Sequence, residues 1–326
     1  MGAAVRLAGA VVLAVVLLVV VPLTLNATGS FDLYYTLTLI ALLSIASAGV
    51  WITFYIGRIN IGQAAYALIG GYVSAILVAV YGWSFWPTIP AAGLFCALVA
   101  ILIGLPILRL RGVYFAMVTL ISTEVARLTA LALPITNGAR GMVNLPPPGP
   151  IAIGGFTLVP DFASFHNPNP AFYLLSVAVM LVVFAGIYRL VHSRIGQLFV
   201  ALQQNEELAS SIGVNIAWLR IIAYAISSFL GGIAGAIFSA ISQSIYPSSF
   251  TTQDSINFML NCFLGGLGYV FGPLVGTFVL QLGWNLLFQT AQFQLLIYAV
   301  VLIALMLILP NGLLSLVGMR PRKAAR

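Results

Sequence analysis

Hydrophobic residues dominate this chain in long uninterrupted runs, which short polar, glycine-rich or proline-rich pieces separate. A helix needs about twenty apolar residues to cross the hydrocarbon core of a bilayer. A transmembrane β-barrel would instead show apolar and polar residues in alternation. The pattern therefore predicts an all-α polytopic membrane protein, with apolar segments at 5–25, 33–56, 60–81, 87–108, 113–134, 171–191, 218–244, 255–289 and 293–312.

The long segment 255–289 decides the predicted topology. Its middle reads GGLGYVFGP, from Gly265 to Pro273, and a proline that lacks a backbone donor interrupts a helix. As one helix the segment gives nine spans, whereas a break gives two short spans and ten in total. Ten is favoured, because it places both termini and most of the basic residues in the cytoplasm, where Lys and Arg gather. Two such short helices are also typical of segments that line a wet cavity, although a tight hairpin between ordinary spans is equally compatible.

The first apolar segment follows Arg6 and could belong to a signal peptide. The stretch from Leu7 to Leu25 is longer than a typical signal core, and no small-residue cleavage site follows it. We therefore expect a retained first span.

Composition narrows the function classes. Only 6% of the residues are charged, whereas a soluble domain carries about a quarter. The net charge of +7 is expected to reflect cytoplasmic loops and not contact with nucleic acid. Cys96 and Cys262 lie within apolar runs, where a buried cysteine usually acts as a small hydrophobic residue. The sequence has no metal-ligand spacing, phosphate-binding loop or catalytic triad, so we expect no cofactor and no catalytic site.

Glu124 and Arg127 form the single opposite-charge pair within a predicted span. They are three residues apart and so share a helix face. A structural pair facing the helix bundle is the favoured interpretation, and a proton relay is the alternative. A relay would need a further carboxylate, which the spans lack.

Residues 135–170 form the largest predicted outer segment. It contains NLPPPGP, from Asn144 to Pro150, and its prolines and glycines disfavour helix. The segment could cap a pathway, meet an external partner or act as a passive connector.

Residues 193–217 form the longest polar-leaning stretch of the chain. Ile195, Leu198, Phe199 and Leu202 recur at the spacing of one helical face. Asn205 is a favourable N-cap for a second, short helix over about 206–212, and Gly213 can close it. A helix that rests on anionic lipid usually carries Lys or Arg on its polar side, whereas this one carries Glu206 and Glu207. This pattern favours docking against a protein partner.

Residues 193–217 and four other stretches resemble the permease subunits of high-affinity branched-chain amino acid ABC importers. Because the resemblance implies that residues 193–217 dock onto the ATPase, we call them the coupling segment. The resemblance covers about residues 35–318 and implies one permease domain over 1–326, with a first span and loop at 1–32, a core at 33–318 and a basic tail at 319–326. The matching stretches are YIGRINIGQAAYALIGGY (Tyr55–Tyr72), LRLRGVYFAMVTL (Leu108–Leu120), GQLFVALQQNEELASSIGVN (Gly196–Asn215), GGLGYVFGPLVG (Gly265–Gly276) and LPNGLLSL (Leu309–Leu316).

The resemblance implies a multi-pass protein of the bacterial inner membrane. Its expected partners are a second related permease chain, two ATPase subunits, a periplasmic substrate-binding protein and the lipid bilayer. Residues implied in ATPase coupling are Gly196, Ala201, Asn205, Glu206, Glu207, Ala209, Gly213 and Asn215. Candidate pathway residues are Asn60, Gln63, Asn257, Asn261, Gly265, Gly266 and Gly268, although an amide in a span is as often a bond between helices.

The sequence departs from the family pattern at Gln197, Gln203 and Gln204, where charges are common, and at Gln63, where His is frequent. Urea and short-chain amide permeases share nearly the same signatures, so they are the alternative within the family. A self-sufficient carrier or channel is the alternative outside it, but the scarcity of membrane carboxylates argues against a proton-coupled carrier.

Overall fold

The computed structural model describes residues 16–28, 31–110, 112–153, 156–164, 167–211, 213–286, 299–300, 303–304, 307–309 and 312–317. Parts of the predicted first and last spans and the whole basic tail 319–326 lie outside these residues. Within them the protein is predominantly helical, as predicted. A π-helical turn at Val16–Val20 leads into the helices α1 (Val21–Thr28), α2 (Phe31–Tyr55), α3 (Gln63–Ala79), α4 (Phe85–Ile107), α5 (Val113–Ala132), α6 (Asn169–Val191), α7 (Arg194–Gln204), α8 (Glu206–Ser211), α9 (Ile216–Ser242), α10 (Thr252–Gly265) and α11 (Gly272–Leu286).

Five of these helices are long and apolar enough to cross a membrane, and each coincides with a predicted span. They cover Leu33–Tyr55, Phe85–Ile107, Val113–Ala132, Asn169–Val191 and Ile216–Ser242. The predicted span 60–81 is a shorter apolar helix, α3, which begins at Gln63. The count of ten spans and the side on which each terminus lies stay predictions.

Helix α9 forms the centre of the bundle and packs against α2, α3 and α4. Small residues allow its close approach to α3. A Cβ atom added at Gly235 would lie 1.8 Å from the carbonyl oxygen of Ala67, and one added at Gly70 would lie 2.4 Å from Gly232. The two backbones are therefore in direct contact, an arrangement that small residues permit between membrane helices.

The predicted break in segment 255–289 is confirmed. Helix α10 ends at Gly265, and α11 begins at Gly272. The two helices pack against each other as a hairpin, since a Cβ atom on Gly276 would meet the carbonyl oxygen of Asn261 at 1.8 Å. The indole Nε1 of Trp51 in α2 donates to the carbonyl of Leu267 at 2.9 Å, which ties the turn to the bundle.

The predicted outer segment 135–170 has no α-helix before Asn169 among its described residues, as its composition predicts. Its first strand, β1 (Met142–Val143), pairs antiparallel with β4 (Ser244–Ile245), which follows α9. A hairpin of β2 (Ile151–Ile153) and β3 (Phe156–Val159) comes next. Trp86 at the start of α4 donates to the carbonyl of Gly149 at 2.9 Å, so the segment is held against the bundle at two places.

Candidate functional site

The coupling segment folds as two successive short helices, as predicted. Ser193 caps α7 by accepting from the Gly196 amide, and Asn205 Oδ1 accepts from the Leu208 amide at 3.0 Å at the start of α8. The segment closes through Gly213, whose φ of 85° is in the left-handed region that glycine adopts without strain. The local sequence thus fixes both helix starts and the return toward α9.

The apolar face of α7 is buried only in part. Phe199 and Leu202 are within the core, whereas Ile195, on the same predicted face, is 39% exposed. Gly196 is buried where α6 turns into α7, because an added Cβ atom would lie 2.4 Å from the Val191 carbonyl oxygen. Gln203 Nε2 donates to the Phe54 carbonyl at 3.4 Å, which places α7 against the end of α2.

Glu206 is turned toward the spans and binds two arginines. Its Oε1 lies 3.4 Å from Nη2 of Arg58, just after α2, and also pairs with Nη2 of Arg220 in the first turns of α9. The side chains of Arg58 and Arg220 are only 4% and 10% exposed. We call these three residues the Glu206 cluster. A buried guanidinium requires such pairing, because an isolated charge pays a large desolvation penalty.

Arg58 extends the cluster to a third part of the bundle. It donates to the Leu110 carbonyl, just after α4, and its guanidinium carbon lies 6.0 Å from the centre of the Phe115 ring in α5. In the sequence, Arg58 and Arg220 are simply two of the basic residues that the ten-span topology places in the cytoplasm. No local signal identified Glu206 as their partner.

The other predicted coupling residues divide between an inner and an outer side. Ala209 is buried and Ala201 is half-buried, whereas Asn205, Glu207 and Gly213 are exposed. Asn215 is also exposed, and its Oδ1 accepts from the Trp218 amide at 3.1 Å, which makes it the N-cap of α9. The exposed side also carries Leu208, at 63% exposure.

A second polar region lies in the non-helical connection between α2 and α3. Gln63 is fully buried and exchanges two hydrogen bonds with Ser227 of α9: its Nε2 donates to the Ser227 carbonyl at 2.9 Å, and its Oε1 accepts from the Ser227 hydroxyl at 3.0 Å. Asn60, also fully buried, accepts from the Gly62 amide at 2.9 Å and donates to the Ser227 hydroxyl at 3.5 Å. The structure therefore brings these two predicted pathway residues together.

Hydroxyl groups from α5 and α10 accept hydrogen bonds from backbone amides in and next to the connection between α2 and α3. The Ile61 amide donates to Thr119 Oγ1 at 3.1 Å, and the Ala64 amide donates to Ser255 Oγ at 3.0 Å. Ser255 in turn lies 3.1 Å from Thr123 Oγ1. We call Asn60, Gln63, Thr119, Thr123, Ser227 and Ser255 the polar seam. Its four hydroxyl residues were not predicted from the sequence, although the spacing of Thr119 and Thr123, one helical turn apart on α5, was a detectable signal.

The remaining pathway candidates lie in or near the hairpin of α10 and α11. Asn261 is buried and donates to the Ser47 hydroxyl of α2 at 2.9 Å. Gly265 and Gly266 are buried at the turn, whereas Gly268 is exposed. Asn257 is half-buried, and its Oδ1 accepts from Gln253 Nε2 at 3.5 Å.

Glu124 and Arg127 form the predicted ion pair on α5. Arg127 Nε lies 3.0 Å from both carboxylate oxygens of Glu124. The side chains of Glu124 and Arg127 keep 44% and 32% of their surface exposed. The prediction that the pair faces the helix bundle is therefore wrong within this chain, because the pair lies at the side of α5 and not in the interior. In the described residues, no group of three or more His, Cys, Asp or Glu side chains is placed to hold a metal ion.

Comparison with known proteins places this arrangement in a family. Residues 32–310 match the family model described as the permease component of branched-chain amino acid transport systems. The chain is 30% identical over 273 residues to the high-affinity branched-chain amino acid transport system permease protein LivM of Escherichia coli K12, a match that covers 80% of this chain and 64% of that protein.

Two further relatives show how far the similarity extends. A probable branched-chain amino acid transport permease protein LivH of Methanocaldococcus jannaschii is 24% identical over 83% of this chain and 88% of its own length. The ribose import permease protein RbsC of Escherichia coli K12 is 32% identical, but over 47% of this chain and 51% of its own length. No solved structure matches the chain. The family match begins in α2 and continues beyond the end of α11. It thus includes both the coupling segment and the polar seam, so the chain belongs to the family of permease components of branched-chain amino acid transport systems.

Proposed function

We propose that this chain is the permease subunit of an ABC importer that moves leucine, isoleucine and valine across a bacterial inner membrane. A second related permease chain, two ATPase subunits and a periplasmic binding protein complete the complex. The observation that carries the proposal is the coupling segment, which presents Glu207 and Leu208 outward while Glu206 ties it to the ends of the spans. Such a segment suits the transfer of movement from a protein partner to the membrane helices.

The proposed topology has ten spans with both termini in the cytoplasm, and the single permease domain extends over the whole chain. In this topology the short helices α10 and α11 count as two spans, which makes the total number of spans even. In this arrangement the basic side chains near the coupling segment are on the cytoplasmic side, as the positive-inside rule requires.

The proposed pathway uses neutral polar groups. Asn60, Gln63, Asn257 and Asn261, with the glycines of the α10–α11 turn, are its candidates. A neutral lining suits a zwitterionic amino acid, because substrate that is held weakly can also leave. Glu124 and Arg127 neutralise each other and remain a structural pair in this scheme.

Reconstitution tests the proposal. The chain should be purified with its second permease chain and ATPases, placed in liposomes, and given binding protein, ATP and radiolabelled leucine or urea. We expect ATP-dependent accumulation of leucine that unlabelled isoleucine and valine compete away and urea does not. Accumulation of urea in place of leucine would refute the substrate assignment. Leucine uptake by the chain alone, driven by an ion gradient without ATP, would refute the ABC assignment.

A further inference from the structure

The two adjacent glutamates of α8 point to opposite environments. Glu206 is 29% exposed and its carboxylate contacts Arg58 and Arg220. Glu207 is exposed, next to Leu208, which is 63% exposed. The family resemblance implies a role in ATPase coupling for both glutamates, whereas the structure gives their side chains different surroundings.

The Glu206 cluster links α8 to the ends of two spans. Arg58 follows α2, and Arg220 belongs to the first turns of α9, the central helix of the bundle. Arg58 also binds the Leu110 carbonyl. If Glu206 turned outward toward a partner, two nearly buried guanidinium groups would lose a shared counter-ion, which is strongly unfavourable.

We propose that Glu206 is a positioning residue that does not contact the ATPase: its carboxylate fastens the coupling segment to Arg58 and Arg220, so that displacement of α8 moves the ends of α2 and α9. This inference rests on the proposed function. The outward side of α8, with Glu207 and Leu208, makes the ATPase contact instead.

The inference is tested with matched neighbouring variants, Glu206→Gln and Glu207→Gln, in the purified complex. Three quantities are measured: the apparent affinity of the permease chains for the ATPase subunits, the amount of leucine imported per ATP hydrolysed, and the thermal midpoint of the permease in detergent. We expect Glu206→Gln to keep ATPase affinity within about threefold of wild type but to lower import per ATP about tenfold, a typical size for coupling between sites. Glu207→Gln should weaken ATPase affinity several-fold, as loss of a charge at an interface does.

Two further variants separate positioning from a loss of folding. Glu206→Asp keeps the charge and should recover part of the import per ATP that Glu206→Gln loses. Arg220→Gln combined with Glu206→Gln should lower import per ATP little beyond Glu206→Gln alone, because partners in one ion pair are not additive.

The outcomes are distinguishable. If Glu206→Gln weakens ATPase affinity as much as Glu207→Gln, then Glu206 is a contact and the inference is wrong. It is also wrong if Glu206→Gln lowers the thermal midpoint but leaves import per ATP unchanged in the complex that remains folded. If the wild-type permease chains bind no ATPase at all, the proposed function fails, and the inference fails with it.

Discussion

The close approach of α3 and α9 makes Gly235→Ala a decisive test of the packing. An added Cβ atom would lie 1.8 Å from the Ala67 carbonyl oxygen and 2.8 Å from the Gly71 amide nitrogen. Both neighbours are backbone atoms, so no side chain can rotate away. Restoring a contact of 3.0 Å, the shortest that real Cβ atoms show, requires α9 to move about 1.2 Å from α3.

The expected cost follows from that displacement. A gap of about 1 Å removes up to about half of the dispersion energy of each atom pair, and each pair contributes about 0.1–0.2 kcal/mol. Across several tens of pairs this amounts to about 2–4 kcal/mol, near the upper end of what overpacking costs. The hydrogen bonds between Gln63 and Ser227 join the same two helices, so they would lengthen as well.

Fluorescence-detected size-exclusion chromatography after heating would measure the effect in detergent. We expect the midpoint for Gly235→Ala to fall by about 5 °C or more. Gly186→Ala is the matched control: Gly186 lies within α6, and an added Cβ atom would have no heavy atom within 4 Å. Alanine is the better helix former by about 1 kcal/mol, so this variant should keep or raise the midpoint. Equal midpoints for the two variants would show that α3 and α9 are not in backbone contact.

Three other expectations can be checked with the same preparation. Gln63→Leu removes two hydrogen bonds to Ser227 and leaves a buried hydroxyl without this partner, so it should lower the free energy of unfolding by about 1–3 kcal/mol; an unchanged midpoint would contradict the polar seam. Cys96 and Cys262 are fully buried and should resist a membrane-permeant maleimide until the protein unfolds, as mass spectrometry can show; rapid labelling in the folded state would refute their burial. Trp51→Phe removes the donor to the Leu267 carbonyl and should speed hydrogen exchange in the α10–α11 turn while leaving exchange within α6 unchanged.

Hydropathy predicted the long helices well, because the apolar run that identifies a membrane-spanning helix is contained within that helix. The five long apolar helices agree with predicted spans to within a few residues. The start of α3 at Gln63 was less apparent, since the polar residues that break the chain there are themselves buried by partners from other helices. The burial of Gln63 depends on its hydrogen bonds with Ser227, which is 164 residues away in the sequence. A local sequence pattern cannot reveal so distant a partner.

The coupling segment also combines features that the local sequence predicts with features that depend on tertiary packing. The caps at Asn205 and Gly213 are local properties, and their sequence signals identified both. Periodicity placed Ile195 on the apolar face of α7, but it cannot tell which residues of an amphipathic helix extend beyond the helices it packs against. Exposure of Ile195 is therefore a result of how α7 lies across the end of α2.

By itself, the sequence determined that this is a helical membrane protein, that its 255–289 segment breaks near Pro273, and that a short capped helix follows Asn205. These features depend on apolar length, on a missing backbone donor and on side chains that cap nearby amides, all within a few residues of one another. Only the tertiary structure decided that Glu206 faces inward while Glu207 faces outward. That difference arises because Arg58, 148 residues away, and Arg220 are brought together by the packing of separate helices, and a buried charge takes whichever counter-ion the fold places beside it.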